Sequence, residues 1–237
     1  VELDNEDAVF TREREIKKVL LVVISSNRGL CGAFNANVIK KATQVIEEKY
    51  KQHYEQGNLH LYCIGKKVYE HFERHNYQID VYNPQIFDDL TFNNVVPMAE
   101  GLMNDFSEGK YDRIEIIYNQ FKNAAMQILQ DEPFLPIQMS ADGDEEQSAN
   151  IVDYIFEPQK EELVRELLPK SLKVQLYKAI LDSFASEHGA RMTSMHKATD
   201  NAQEMLKDLR LSYNKARQAS ITNELIEIVS GANALNE

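Results

Sequence analysis

The end of the chain is the feature that most limits how this sequence can fold. Residues 170–237 contain no proline, and only Gly189 and Gly231 interrupt a run of helix-forming residues. Pro158 can open a short helix over 160–168, and Pro169 can occupy the first turn of the next one. The pattern then predicts a single helix of roughly 65 residues, about 100 Å long at 1.5 Å per residue. A helix of that length does not fit inside one compact domain.

An apolar seam along this helix predicts a second helix as its partner. Its members are Met192, Met195, Thr199, Ala202, Leu206, Leu209, Tyr213 and Ala216, then, after a slip of one residue, Ile221, Leu225, Ile228, Ala232 and Leu235. Twelve steps span the 43 residues from Met192 to Leu235. That is roughly 3.6 residues per step, so the pair should supercoil only gently. The helix either dimerises or packs against a segment preceding Val1, where the chain starts in a charged stretch without Met.

The first 158 residues differ in charge and predict an α/β domain. In residues 159–237, 11 basic and 11 acidic residues cancel, so residues 1–158 carry the whole net charge of −12. We therefore place the boundary at residue 158, with a globular α/β domain before it and the long helix after it. Predicted strands over 18–25, 59–64, 77–82 and 112–119 alternate with predicted helices over 32–54, 66–74 and 92–106, and 124–135 can return as a hairpin strand. This order favours a mainly parallel, Rossmann-like sheet with helices on both faces.

Composition and motifs argue against several classes of function. An acidic chain with a pI near 5 is a poor match to nucleic acid. Its longest apolar run, Val19 to Ile24, is too short to cross a bilayer, and we expect no secretory signal. Neither a P-loop nor a G-x-G-x-x-G motif occurs, so we expect no nucleotide cofactor. The six histidines and the acidic stretch 140–149 lack metal-ligand spacing, so we expect no metal.

Two segments remain as candidates for function. Cys31 follows the first strand in a Gly-Leu-Cys-Gly turn and precedes a helix, where α/β folds often bind ligands. It could be a nucleophile at a helix N-terminus, but no His-Asp pair is placed to support it, and a tight structural or contact turn is the better interpretation. Residues 217–220 (Arg-Gln-Ala-Ser) lie where the seam slips. They form either an ordinary solvated face or a hydrogen-bonding patch for a surrounding protein.

Three segments also carry a resemblance to a known family. Residues 24–35 read Ile-Ser-Ser-Asn-Arg-Gly-Leu-Cys-Gly-Ala-Phe-Asn and resemble the S-[ST]-[DN]-R-G-L-C-G motif of the F-type ATP synthase gamma subunit. Residues 190–201 (Ala-Arg-Met-Thr-Ser-Met-His-Lys-Ala-Thr-Asp-Asn) resemble the C-terminal helix of that family. So do residues 213–235, which read Tyr-Asn-Lys-Ala-Arg-Gln-Ala-Ser-Ile-Thr-Asn-Glu-Leu-Ile-Glu-Ile-Val-Ser-Gly-Ala-Asn-Ala-Leu. The resemblance spans the whole chain, and its last stretch is highly specific.

The resemblance implies a non-catalytic rotor shaft in a proton-translocating ATP synthase. In the family, N- and C-terminal helices form an antiparallel coiled coil inside a ring of alpha and beta subunits, and the α/β domain lies on the membrane c-ring beside the epsilon subunit. The expected contacts with the alpha and beta subunits are Arg217, Gln218, Thr222, Glu224, Arg28 and Cys31. Tyr154 and Glu157 are expected to contact the c-ring. The implied location is peripheral, at the cytoplasmic face of a bacterial inner membrane.

The chain departs from the family pattern at its front, where the N-terminal helix is absent, so we expect it to be half of a coiled coil. Two other functions stay open on the residues alone. The first is a scaffold that dimerises through the long helix. The second is an α/β enzyme with a helical arm, for which activity should depend on Cys31.

Overall fold

A five-stranded, mainly parallel sheet forms the centre of the fold, as the sequence predicts. The computed structural model describes residues 10–12, 14–137 and 160–234. The strands are β1 (Val19–Ile24), β2 (Leu59–Ile64), β3 (Ile79–Asn83), β4 (Arg113–Asn123) and β5 (Met126–Leu135), in the spatial order β3-β2-β1-β4-β5. The pairs β1–β2, β1–β4 and β2–β3 are parallel. The edge strand β5 returns antiparallel to β4, which confirms the predicted hairpin.

Helices connect the parallel strands and cover both faces of the sheet. They are α1 (Phe34–Lys49), α2 (Lys51–Glu55), α3 (Lys66–Arg74), α4 (Phe92–Ser107) and α5 (Lys160–Ala234). The prediction of a single helix over 32–54 is wrong, because the helix is interrupted at Tyr50, whose φ is −125° and ψ 19°. The Tyr50 hydroxyl donates to the buried carboxylate of Glu115 at 2.7 Å. This contact holds the buried Tyr50 side chain inside the domain at the point where α1 ends and α2 begins.

The central strand β1 contributes to two apolar cores, one on each face of the sheet. Leu20, Val22 and Ile24 pack on one face with α4 and with the first part of α5. The alternate side chains of β1 pack on the other face with α1 and α3. All six side chains of β1 are buried, as expected of a strand covered on both sides.

Helix α5 begins at Lys160 and continues through Pro169 to Ala234, a length of 75 residues. The prediction of two helices meeting at Pro169 is therefore wrong. A proline inside a helix removes one backbone hydrogen bond and costs about 3 kcal/mol. Leu172 and Leu176, one and two turns later, are almost fully buried in the core. Burying each leucine side chain contributes about 1.5–3 kcal/mol to the stability of the folded chain. Together the two leucines offset the cost of the proline, so the helix stays continuous.

By its internal contacts the chain divides into two units, residues 1–192 and 193–237, and α5 contributes to both. The first part of α5 thus belongs to the sheet domain by packing, whereas the functional division at residue 158 stays a prediction. The predicted acidic loop 140–149, the predicted strand 151–156, Tyr154 and Glu157 lie outside the described residues. None of the described helices is both long enough and apolar enough to cross a membrane.

A cluster of charged side chains ties the β4–β5 hairpin to α1, and it predicts an acid-sensitive fold. Lys49 and Lys41 pair with Asp131 at 3.1 and 3.3 Å. Burial alone would raise the pKa of Asp131, but the two lysines outweigh it and hold that pKa below its usual range. A carboxylate with a lowered pKa stabilises the fold above its unfolded pKa of about 3.9, and this stabilisation is lost as the pH falls through the folded pKa.

We therefore expect Asp131→Asn to lower the free energy of unfolding at pH 7 and to flatten its decline below about pH 4. Urea unfolding at a series of pH values measures both effects. Glu15→Gln is the matched control, because Glu15 is exposed and its ion pair with Lys17 spans 3.9 Å. If the Asp131→Asn variant were as acid-sensitive as the unmodified chain, the ion pairs of Asp131 would not be a source of the acid sensitivity.

Candidate functional site

The loop of residues 25–32 follows β1 at the carboxyl edge of the sheet. It lies where the strand order reverses, with β2 on one side of β1 and β4 on the other. Hydrogen bonds hold the start of the loop. The Ser26 amide donates to Asn35 Oδ1 at 3.0 Å, and the side-chain amide of Asn27 donates to the Pro84 carbonyl at 2.7 Å. The amide of Lys66, at the start of α3, donates to Asn27 Oδ1 at 3.0 Å.

Cys31 lies inside this loop rather than on its surface. Its side chain is 2% exposed and packs with Phe34 and Ala190. The Asn35 side-chain amide donates to the sulfur at 3.2 Å, and the Arg28 carbonyl and the Ser26 hydroxyl lie 3.9 Å from it. The hydrogen-bonding groups that the described residues offer the thiol include no general base. Burial and these neighbours favour the structural interpretation of Cys31 over a nucleophile.

Arg191, on α5, joins this loop to the helix. Its guanidinium donates to the Gly29 carbonyl at 3.3 Å from two nitrogens and to the Arg28 carbonyl at 3.4 Å. The Glu187 carboxylate, one turn earlier, accepts from the same guanidinium at 2.6 Å. Both side chains are largely buried, so this ion pair is better formed than an exposed one. The loop and this part of the helix are consequently held as one piece.

The β4–β5 hairpin reaches the same stretch of α5. The Ser186 hydroxyl donates to the Asn119 carbonyl at 3.1 Å. Gly189 lies against the hairpin turn, where a Cβ added to it would meet Ala124 Cα at 3.0 Å and the Ala124 carbonyl oxygen at 3.3 Å. Residues 186–191 of α5 therefore contact both the loop and the hairpin at the carboxyl edge of the sheet.

This close approach predicts an effect of substituting Gly189. In an open helix, Gly→Ala stabilises by about 1 kcal/mol, but here the added methyl group displaces hairpin backbone. We expect Gly189→Ala to bring no stabilisation and Gly189→Val to destabilise by about 1–3 kcal/mol, measured by urea unfolding. Gly231→Ala is the control, since nothing lies within 4 Å of its added Cβ. A Gly189→Val chain as stable as the unmodified one would contradict this packing.

The predicted contact residues fall into two groups. Arg28 is exposed in the loop of residues 25–32, although Cys31 beside it is buried. The residues Arg217, Gln218, Thr222 and Glu224 are all exposed on α5 in the second unit. Within this second group, the Thr222 hydroxyl donates back to the Gln218 carbonyl at 2.8 Å.

Two residues at the site escaped prediction from sequence. Leu30 is 77% exposed and has a φ of +63°, in the left-handed region that disfavours leucine. Arg191 lies within the 190–201 segment, but nothing in its spacing indicates a contact with a loop more than 160 residues earlier. Two glycines, Gly29 and Gly32, flank Leu30 and Cys31, and they are the sequence signal that indicates an unusual backbone conformation here.

The predicted seam is exposed along the second unit of the structure. Met195, Leu206, Leu209, Tyr213, Ile221, Leu225 and Ile228 all present large apolar side chains to solvent. Within the described ranges, no three His, Cys, Asp or Glu side chains are grouped to hold a metal ion. The exposed seam and the loop of residues 25–32 are thus both suited to protein contacts.

Comparison with known proteins identifies the family. A family model described as ATP synthase matches residues 2–235. The chain is 53% identical to the ATP synthase gamma chain of Cytophaga hutchinsonii, over 98% of this chain and 79% of that protein. It is 55% identical to the gamma chain of Christiangramia forsetii, over 98% of this chain and 78% of that protein. The chain belongs to the ATP synthase gamma chain family.

Solved structures support the gamma chain fold. A chain of the Euglena gracilis mitochondrial ATP synthase, in an assembly of OSCP, F1 and c-ring, aligns with a TM-score of 0.66 at 20% identity, over 99% of this chain and 81% of that one. A chain of the Tetrahymena thermophila mitochondrial ATP synthase central stalk and c-ring aligns with a TM-score of 0.57 at 22% identity, over 83% and 84%. These similarities confirm the fold predicted for a gamma chain. The contact roles of its individual residues stay predictions.

Proposed function

We propose that the chain is the rotating central stalk of an F-type ATP synthase, itself without catalytic activity. Ion flow through the membrane ring turns it, and its rotation drives the beta subunits through the conformations that make ATP. The observation that carries this proposal is that residues 213–234, nearly all of the most specific family segment, lie on the same helix as the exposed seam. A helix with an apolar stripe in water gains stability only by pairing that stripe.

The seam is suited to the antiparallel helix that the family resemblance implies. Its small members, such as Ala202 and Ala216, allow the backbones to approach closely, and its large members fill the spaces between them. The other face of the helix carries Lys197, Asp200, Glu204 and other charged residues, all exposed. A shaft must turn inside its ring without adhering to it, and exposed polar contacts are individually weak, at about 0–1 kcal/mol.

The contacts with the ring fall on the two groups of exposed residues. Arg217, Gln218, Thr222 and Glu224 carry hydrogen-bonding side chains within two turns of α5, suited to polar loops of the alpha and beta subunits. Arg28 and the loop of Cys31 are proposed to face the beta subunits. Because Cys31 is buried, its contribution to that contact is to shape the loop.

The remaining partners rest on the resemblance alone. Tyr154 and Glu157 are proposed to hold the α/β domain on the c-ring, beside the epsilon subunit. This arrangement places the protein peripherally, at the cytoplasmic face of a bacterial inner membrane.

Reconstitution tests the proposed function. Rings of alpha and beta subunits are combined with this chain joined to the N-terminal helix of a gamma chain relative, and ATP-driven rotation of an attached bead is recorded. We expect rotation with the joined helix and none with the ring alone. Rings that bind the joined chain but do not turn it would contradict a rotor function. If the chain instead formed a stable dimer and did not bind the rings, the result would favour the alternative function of a dimerising scaffold.

A further inference from the structure

Leu30 combines two features that are unfavourable in a folded chain. Its side chain is 77% exposed, and its backbone has a φ of +63°. A left-handed conformation costs a residue with a Cβ roughly 1–2 kcal/mol. Asn76, the other described residue besides glycine with a positive φ, is of the type that tolerates this conformation. Stability alone would therefore favour asparagine or glycine at position 30.

The surroundings of Leu30 hold it in this conformation. Arg191 binds the carbonyls of Arg28 and Gly29, the two residues before it. Cys31, the residue after it, is packed against Phe34 and Ala190. The backbone on both sides of Leu30 is thus anchored to the domain while the leucine side chain is directed outward. Anchored strain of this kind is typical of positions where the strain serves a function.

From this geometry we infer that Leu30 is the apolar contact of the loop with the alpha/beta ring and that Arg191 is its positioning residue. The inference rests on the proposed function and refines it, because it assigns the contact to the exposed Leu30 instead of the buried Cys31. Arg191 is directly followed along α5 by Met192, the first residue of the seam. An exposed apolar side chain gains stability when it is removed from water, so the expected partner of Leu30 is an apolar recess of a beta subunit. In this arrangement Arg191 makes the loop follow the rotation of α5.

Substitutions at Leu30 separate the side chain from the backbone strain. Leu30→Asn and Leu30→Gly remove the apolar side chain but suit a positive φ. Each variant, joined to the N-terminal helix of a gamma chain relative as in the reconstitution above, is assembled with alpha and beta subunits on the membrane ring. The number of ions pumped per ATP hydrolysed is then measured. We expect both variants to unfold at the same or a higher temperature than the unmodified chain. We also expect about tenfold weaker assembly with the ring, or a several-fold loss of pumping per ATP.

Substitutions at Arg191 test the positioning role. Arg191→Ala frees the carbonyls of Arg28 and Gly29, so trypsin should cut after Arg28 several-fold faster, and pumping per ATP should fall as it does for Leu30→Asn. Arg191→Lys, which keeps a donor, should restore part of the coupling. Leu30→Asn and Arg191→Ala are expected to act through one contact. The variant that carries both substitutions should therefore lose little more pumping per ATP than either single variant.

Two controls make the outcome decisive. Asn76→Gly changes the other positive-φ position, and Arg74→Ala removes an exposed arginine on α3; both should leave coupling unchanged. If Leu30→Asn assembles and pumps like the unmodified chain, Leu30 is not the contact and the inference is overturned. If the joined chain without any substitution assembles but does not couple, the proposed function fails, and the inference fails with it.

Discussion

Replacing Gly65 with alanine is expected to destabilise the α/β domain by about 3–5 kcal/mol. Gly65 joins β2 to α3 with a φ of +102° and a ψ of 150°, a region that glycine alone adopts readily. A Cβ added there would lie 2.3 Å from the carbonyl oxygen of Ser25. This oxygen belongs to backbone and cannot move aside as a flexible side chain would.

The backbone around Ser25 is held from several directions, which is why it cannot yield. The Ser25 amide donates to the Ile64 carbonyl at 2.8 Å, and the Val68 amide donates to the Ser25 hydroxyl at 3.0 Å. The Lys67 amide donates to the Ser26 carbonyl at 3.1 Å. The clash therefore displaces the start of the loop of residues 25–32 as well as the β2–α3 turn.

Thermal and urea unfolding followed by circular dichroism measure the effect, and we expect a fall in Tm of roughly 10 °C. Gly101→Ala is the control, because Gly101 lies inside α4 and nothing is within 4 Å of its added Cβ. That substitution should be neutral or stabilise by up to about 1 kcal/mol. Equal stability of the two variants would show that the β2–α3 turn is not as tight as described.

Placing a carboxylate on the seam should reduce torque transmission at least tenfold. Leu209 is a seam residue and Leu211 lies on the opposite side of α5, yet the two are almost equally exposed, at 58% and 56%. Leu209→Glu would put a charge into the interface between the paired helices. An unpaired charge of this kind costs several kcal/mol. We expect rings assembled with the Leu209→Glu chain, joined to the N-terminal helix of a gamma chain relative, to hydrolyse ATP with rotation and ion pumping reduced at least tenfold.

Leu211→Glu is the matched control, with the same change of side chain two residues away. It should leave rotation close to that of the unmodified chain, because its position is solvated. Equal losses in the two variants would show that the seam has been assigned to the wrong face. Equal activity in both would argue against a helix pair in this part of α5.

The elements of the α/β domain could be predicted from sequence because their signals are local. The sequence pattern predicts Leu59–Ile64 and Lys66–Arg74 with the bounds that the structure has, since a buried strand and an amphipathic helix each carry a regular pattern. The errors arose where a distant contact outweighed the local pattern. The buried bond from Tyr50 to Glu115 divides the second predicted element, and the burial of Leu172 and Leu176 keeps α5 continuous through Pro169.

The candidate site could be predicted only in part. Its location after β1 followed from the motif, and the exposure of Arg28 agrees with a contact role. The burial of Cys31 and the anchoring by Arg191 could not be predicted, because they depend on where α5 crosses the carboxyl edge of the sheet. No pattern within residues 25–32 contains that information.

The fold class, the long helix with its seam, and the family can all be predicted from the sequence, because each depends on periodicity or motifs along one stretch of chain. Which side chain the loop of residues 25–32 presents to solvent depends instead on the packing of the folded chain. The hydrogen bonds from Arg191 and the packing of Ala190 on Cys31 join segments about 160 residues apart, and they direct Leu30 outward while Cys31 is buried. Contacts between distant segments depend on the folded path of the chain, which local patterns do not specify.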